Sequence, residues 1–371
     1  MKITCDREKL LAAFQMAAGV APTRSPKPIL QNVKIEVRSD GTTLMATDLE
    51  VGVRIDVAGV DVETAGAAVL PISRFGSILR ENSDERLRIE STPQGTLVRG
   101  ERSEFKLPGE NPDEFPPIAQ FSETKYHEVP ARLFRELVRR TIFATDNESS
   151  RYALGGVLLE FEAKKITAVG TDGRRLAKME GPGNSVGGHT SGDSTIIVPA
   201  RAMQLIERAL HDGDAEIQVA ARANELLLRS PRATIFSRLL EGRFPRWRDV
   251  FPHRDGAAKI ELIVGPFHSA VRQAAIITST ESRGIDFTFG NGTAVLSGQT
   301  AELGQARVEL PIPYSGNEIT ITLDPRFVTD FLKVLDPDKT FTLELKDEDS
   351  AAVCSTDDGY GYVIMPLAKD R

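Results

Sequence analysis

The sequence predicts an α+β fold built from one unit repeated three times, and three observations carry that prediction. An amphipathic helical segment recurs at 6–16, 130–142 and 265–278. A short motif tied to a strand pair recurs as Ala46-Thr47-Asp48-Leu49, Gly170-Thr171-Asp172-Gly173 and, more weakly, Gly298-Gln299-Thr300-Ala301. A strand running through proline into a second helix recurs as Val69-Leu70-Pro71-Ile72, Ile197-Val198-Pro199-Ala200 and Leu323-Asp324-Pro325-Arg326. These prolines lie 128 (199 − 71) and 126 (325 − 199) residues apart.

The first helix of each unit follows from apolar residues at helical spacing: Leu10, Leu11 and Phe14, then Leu133, Phe134 and Leu137, then Phe267, Val271 and Ala274. The second helices, 71–82, 199–211 and 325–336, each open on proline. Its missing N–H has no partner in a first helical turn in any case. Between helices lie β-branched and apolar runs that read as strands, among them 155–161, 216–219 with 225–228, and 341–345 with 351–354. Asn291-Gly292 is a two-residue hairpin turn, and Pro93-Gln94-Gly95 reads as a longer one. Each unit then holds two helices and about eight strands, with joints near 121–127 and 253–258. That gives domains at 1–125, 126–253 and 254–371. A unit of this length exceeds the roughly 20–50 residues of a solenoid repeat.

The chain has 371 residues, 40% of them hydrophobic and 27% charged, enough for each third to bury a core of its own. Cys5 and Cys354 are too few and too distant for a disulfide framework or a zinc site. The opening Met1-Lys2-Ile3-Thr4-Cys5-Asp6 reaches charge at once, and no run approaches the roughly 18 apolar residues of a membrane span, so a cytoplasmic protein is expected. His127, His189, His211, His253 and His268 are scattered, and no HExxH, phosphate loop or GxSxG elbow occurs. The Gly-rich stretch 181–188 follows charged Lys178-Met179-Glu180 and reads as a mobile loop. Asp172 beside Arg174 and Arg175 reads as a hairpin turn and not as an acid–base site. No enzyme, cofactor or metal is expected.

The formal charge is −7, yet the six helical segments sum to +6, leaving −13 elsewhere. An acidic body with mildly basic helices repels DNA from most of its surface and tolerates it along one lined face. Arg74, Arg80, Arg135, Arg139 and Arg201 are the helix residues expected there. Phe75 and Phe134 read as core, so contacts should go to phosphates of double-stranded DNA without sequence preference.

Several segments resemble the bacterial DNA sliding clamp, the β subunit of DNA polymerase III holoenzyme. They are Thr171-Asp172-Gly173-Arg174-Arg175-Leu176-Ala177, Glu241-Gly242-Arg243-Phe244-Pro245 with Val250-Phe251-Pro252, and the end Tyr362-Val363-Ile364-Met365-Pro366-Leu367. The opening Met1-Lys2-Ile3, with Pro28-Ile29-Leu30-Gln31-Asn32 and Ala46-Thr47-Asp48-Leu49-Glu50, is similar to the same family, so the likeness spans the chain. The resemblance implies a head-to-tail homodimer whose six domains close a ring, helices lining the hole and sheets outside. It implies a pocket for short linear motifs of the replicative polymerase, the clamp loader and other clients. One wall is Leu154, Thr171, Gly173, Arg174, Arg175, Leu176, Pro245 and Val250; opposite stand Phe327, Val363, Ile364, Met365, Pro366 and Leu367. It places Phe105 and Leu107 against Ile276 and Ile277 of a second copy, and Arg24, Arg151 and Tyr152 on DNA. Ser282 and Asp249 depart from the family pattern, where a larger apolar and a basic residue are common, and 368–371 runs past the usual end. A scaffold that does not encircle DNA is the competing reading, and retention on closed circular DNA separates the two.

Overall fold

The computed structural model describes residues 1–146, 152–210, 216–251, 255–278, 284–300 and 303–367. The first third runs β1 (Lys2–Asp6), α1 (Arg7–Ala18), β2 (Asn32–Arg38), β3 (Gly41–Thr47), β4 (Val51–Asp56), β5 (Val60–Thr64), β6 (Gly66–Pro71), α2 (Ile72–Glu81), β7 (Arg86–Thr92), β8 (Gly95–Arg99) and β9 (Glu104–Leu107). The second runs β10 (Tyr126–Pro130), α3 (Ala131–Arg139), β11 (Gly156–Glu162), β12 (Lys165–Thr171), β13 (Arg175–Pro182), β14 (Asn184–Val186), β15 (Ile196–Pro199), α4 (Ala200–Ala209), β16 (Glu216–Ala221), β17 (Glu225–Arg229) and β18 (Ala233–Arg238). The last runs β19 (Ala258–Ile263), α5 (Val264–Ala274), β20 (Ile285–Gly290), β21 (Thr293–Thr300), β22 (Gly304–Pro311), β23 (Ile319–Leu323), α6 (Pro325–Lys333), β24 (Thr340–Leu345), β25 (Ala352–Ser355) and β26 (Tyr360–Ile364). The order strand, helix, strands, helix, three strands is the same each time; the last third has one strand fewer among the described residues.

Packing also groups the chain into two compact units whose bounds differ from those of the repeats. One unit comprises Met1–Phe134, Gly183–Ser194 and Arg201–Leu239; the other comprises Arg135–Pro182, Thr195–Ala200 and Leu240–Arg371. The first holds the antiparallel sheets β5-β1-β7-β8-β9 and β14-β10-β16-β17-β18-β4-β3-β2-β6. The second holds β15-β11-β12-β13-β26-β25-β24-β19 and β22-β21-β20-β23. Each larger sheet crosses a repeat boundary, with Ile235 opposite Val53 in one and Leu176 opposite Val363 in the other.

Within the first unit the apolar stripe of α1 is buried at Leu10 and Phe14, and Phe14 meets Phe75 of α2 edge to face at 5.0 Å. Asp6 caps α1 by accepting from Lys9 N at 3.1 Å. In the second unit Phe267 of α5 and Phe331 of α6 both pack on Phe341, with ring centroids 5.8 and 5.3 Å away.

Some expectations change. Pro71 and Pro199 do not open helices: each is the last residue of a strand, opposite Asn32 and Gly156. Both strands, β6 and β15, end their sheets, where a missing N–H removes no ladder bond. Of the three repeat prolines, Pro325 alone sits in a first helical turn, behind an Asp324 cap. The helices expected to reach 142 and 278 end at Arg139 and Ala274, and 3-10 turns follow at Ile142–Ala144 and Ala275–Ile277. Asn291 and Gly292 make the expected two-residue turn, with φ of 51° and 77°. The hairpin at Pro93 is tighter than expected, since Thr92 already pairs with Gly95. A Cβ at Gly95 would stand 2.5 Å from Leu107 O. The stretch 181–188 is largely strand and not a mobile loop: β13 pairs through Pro182 with Lys165, and β14 pairs with β10.

The histidines are not all scattered. Strand pairing brings His127 Nδ1 to 2.8 Å from His189 Nδ1, both rings buried. Ala221 N donates to His189 Nε2 at 3.1 Å, so neutral His189 carries its proton on Nδ1 and donates it to His127. His211 and His253 lie outside the described residues. Cys5 and Cys354 are buried free thiols.

Candidate functional site

The Thr-Asp turn between β12 and β13 builds itself from its own side chains. Thr171 Oγ1 donates to Arg175 O at 2.6 Å and accepts from Gly173 N at 3.1 Å. Asp172 Oδ1 accepts from Arg174 N and Arg175 N at 2.9 and 3.0 Å. The first repeat has the same network: Thr47 Oγ1 donates to Val51 O at 2.7 Å, and Asp48 Oδ1 accepts from Glu50 N and Val51 N. The third position of the turn needs a left-handed backbone, φ 88° at Gly173 and 78° at Leu49, which glycine adopts without a Cβ clash. At the weaker third motif Thr300 Oγ1 accepts from Leu303 N at 3.1 Å.

The turn aims two arginines differently. Arg174 is exposed. Arg175 turns inward: Nε donates to Asp172 Oδ2 at 2.9 Å, Nη1 to Asp330 Oδ2 at 2.8 Å and Nη2 to Phe143 O at 2.7 Å. Its guanidinium carbon lies 4.5 Å from the Phe327 ring centroid.

The expected pocket residues divide by burial. Leu154, Thr171, Leu176, Val363 and Ile364 are buried. Leu154 apart, they are strand residues, and Leu176 and Val363 join Ala153, Leu158, Val169, Ile197 and Phe244 in one apolar cluster. Pro245, Gly173 and Met365 are exposed; Val250, Phe327, Pro366 and Leu367 are half-buried. Backbone bonds pin the terminal segment, from Met365 N to Arg174 O and from Leu367 N to Thr322 O, each at 2.9 Å. Strand β26 lies between β13 and β25, so Val363 and Ile364 sit on an interior strand of the sheet. A cleft of about 780 Å³ opens between Ala153, Leu154 and residues 241–246. Of its lining, sequence reasoning had selected only Leu154 and Pro245. The signal for the rest was the Glu241-Gly242-Arg243-Phe244-Pro245 segment. Gly242 has φ 134°, and a Cβ there would stand 3.2 Å from Ala153 Cβ. Asp249 is matched by Arg246, whose Nε lies 3.2 Å from Asp249 Oδ2. Ser282 and residues 368–371 lie outside the described residues.

Among the residues expected on DNA, Arg24, Arg74, Arg80 and Arg139 are exposed and Arg135 is half-buried. Arg201 is exposed but engaged: Nη1 lies 2.9 Å from Asp48 Oδ2 and Nη2 donates to Val20 O at 3.0 Å. It braces the first Thr-Asp turn. Arg140, counted in the helical charge, is tied to Glu136 and Asp358 at 2.8 and 2.6 Å. Arg151 and the Tyr152 side chain lie outside the described residues. Phe75 and Phe134 are fully buried, as expected of core.

The four expected interface residues divide evenly. Ile276 is 77% exposed, the highest value among the exposed large apolar residues described, and Phe105 on the sheet-ending strand β9 is 37% exposed. Leu107 and Ile277 are buried within the chain. No cluster of metal-ligating side chains occurs among the described residues, and no described helix is long and apolar enough to cross a membrane.

Comparison with known proteins gives one result along the whole chain. Residues 1–119, 128–246 and 248–368 match the family models of the DNA polymerase III beta subunit N-terminal, central and C-terminal domains. The chain is 28% identical over 369 residues to the beta sliding clamp of Chlamydia pneumoniae, covering 99% of each. It is 28% identical over 375 residues to that of Escherichia coli K12, covering 99% of this chain and 100% of that protein. The sliding clamp of Pseudomonas aeruginosa bound to griselimycin superposes with a TM-score of 0.92 at 27% identity, covering 100% of both chains. The clamp of Bacillus subtilis has a TM-score of 0.92 at 22% identity, covering 100% of this chain and 99% of that one, a likeness of fold.

Proposed function

The chain belongs to the DNA polymerase III beta subunit family, a non-catalytic sliding clamp of three α+β domains that confers processivity; from that premise we propose how this chain does its work. Two copies close head to tail into a ring of six domains, bounded at 1–125, 126–253 and 254–371, around double-stranded DNA in the cytoplasm. The observation that carries this reading is the apolar site at the Thr171-Asp172-Gly173 turn. There Pro245, Val250, Phe327, Met365, Pro366 and Leu367 remain accessible above a buried floor. A shallow apolar site with a flexible thioether and preset backbone suits short linear motifs, supplied here by the replicative polymerase, the clamp loader and other clients.

Exposed Ile276 and Phe105 support the subunit contact, since an apolar side chain that open to water gains by burial against a second copy. Strands β9 and β22 each end a sheet and leave a row of backbone donors and acceptors for pairing. Exposed Arg24, Arg74, Arg80 and Arg139 face phosphates. With Arg140 and Arg201 already paired internally, direct binding is weak and topology does the holding. Loaded onto nicked circular DNA, the protein should remain at salt concentrations that abolish binding to a short duplex, and one cut in the circle should release it. Equal loss from circular and linear DNA would leave a client-binding scaffold in place of a ring.

A further inference from the structure

Arg175 stands in the proposed pocket, yet its chemistry faces inward. Each of its three nitrogens already donates within the protein: to Asp172, to Asp330 and to the Phe143 carbonyl. Its flat face lies over Phe327, and only 11% of the side chain is exposed. A client peptide therefore finds little of this guanidinium to bind. What the guanidinium does hold together is three separate stretches of chain. Asp172 belongs to the turn itself, three residues away. Phe143 belongs to the 3-10 turn after α3. Asp330 lies on α6, one helical turn beyond Phe327.

We infer that Arg175 and Asp330 form a positioning pair. Their bond fixes the Gly173–Arg174 side of the pocket at a set distance from Phe327 of α6, the Met365 segment being tied to the turn already by its own backbone bond to Arg174 O, and Asp330 thereby governs client affinity without touching a client. The inference rests on the proposed pocket and adds to it a residue that the expected pocket walls do not contain. Among the three bonds, only Nη1 to Asp330 joins the turn to α6 through a side chain with a full opposite charge. The Asp172 bond would persist in a turn displaced from α6. The Phe327 contact alone is non-directional and tolerates sliding. A bond of carboxylate to guanidinium at 2.8 Å, two-thirds shielded from water on the Asp330 side, fixes both distance and angle. Tyr362 reinforces the arrangement from below, its hydroxyl donating to Phe327 O at 3.0 Å. On the solvent side Lys333 Nζ stands 3.8 Å from the other Asp330 oxygen, too far to replace Arg175.

The test uses the full chain. The probe is a fluorescein-labelled peptide, the tightest binder among peptides tiled across the replicative polymerase subunit. Asp330→Asn keeps shape and surface but removes the charge, and anisotropy should show affinity reduced about tenfold, the expected scale for losing one charge-assisted bond. Asp330→Glu should restore most of it, because a longer carboxylate can still reach Nη1. In an Arg175→Met background, Asp330→Asn should add nothing further, since the bond it removes is already absent. The thermal midpoint should fall only modestly, the chain remaining fully folded at the assay temperature, and retention on circular DNA should stay as in the parent. Parental affinity in Asp330→Asn, or no recovery in Asp330→Glu, overturns the pair. Leu367→Asp separates the two levels. If it also leaves peptide affinity untouched, the pocket reading falls; if it abolishes binding while Asp330→Asn does not, only the positioning pair falls. Should Arg175→Met fail to fold, the two Asp330 variants decide alone.

Discussion

Truncating Ile276 to Ala isolates the subunit contact from the fold. Ile276 is 77% exposed in the single chain, so its three outer carbons contribute little to the stability of that chain. Buried against a second copy, they should contribute about 0.8 kcal/mol per carbon, or about 2 kcal/mol per contact after discounting the part already covered. A closed ring has two such contacts by symmetry. The total, about 4 kcal/mol, corresponds to about a thousandfold weaker dimer. Neighbouring Ile277 is the internal control. It is 9% exposed, and its Cδ1 lies 3.0 Å from where a Cβ on Gly298 would stand, so it packs on β21. Ile277→Ala should lower the thermal midpoint and weaken the dimer less. Sedimentation velocity across a dilution series, with calorimetry on the same samples, reads both quantities. An unshifted monomer–dimer equilibrium in Ile276→Ala would refute the contact. A lowered midpoint with an unchanged equilibrium would show that Ile276 packs within its own chain.

Three further outcomes are expected. Of the six methionines only Met365 is exposed, while Met45, Met179 and Met203 are buried. Mild peroxide should therefore give one dominant sulfoxide by mass spectrometry and weaken client peptide binding about tenfold, by making an apolar wall polar. Met365→Leu should bind and ignore the oxidant. Deleting residues 365–371 should abolish peptide binding by fluorescence anisotropy while sedimentation still shows the dimer; unchanged affinity would move the pocket elsewhere. The histidine pair predicts a pH dependence. Burial first, and the neighbouring His127 second, hold His189 below its ordinary value of 6.5, against a smaller opposing pull from Glu123. Above 6.5 the unfolded and folded forms are both neutral there. As pH falls below it, the unfolded chain takes up a proton that the folded one resists, so stability declines. The thermal midpoint should drop between pH 7.5 and 5.5, and by less in His189→Gln; equal drops in both would remove the pair from the account.

Much of this protein was legible as local pattern. Helical spacing at Leu10 and Phe14, at Phe134 and Leu137, and at Phe267 and Val271 located three helices, because a helix is stabilised by residues three and four apart. The Asn291-Gly292 turn and the Thr171-Asp172-Gly173 turn were equally local, since each is closed by its own backbone and side chains. Three ordered copies of such patterns determined the repeat, and the segments around Arg174, Phe244 and Met365 marked the candidate site.

What the tertiary structure alone decided is pairing over long separations. That β18 joins β4 and β13 joins β26, so that sheets cross the repeats, depends on hydrogen-bonded ladders between strands whose own sequences fit many neighbours. His127 finds His189 over 62 residues, and Arg175 finds Asp330 over 155. Charge counting had set Arg201 on the DNA-facing side and counted Arg140 among the helical cations, yet Asp48 and Asp358 hold them. A side chain's sequence states its charge and its reach. Its partner is set by which backbone the sheets carry to within 3 Å of it, and that is a property of the whole packed chain.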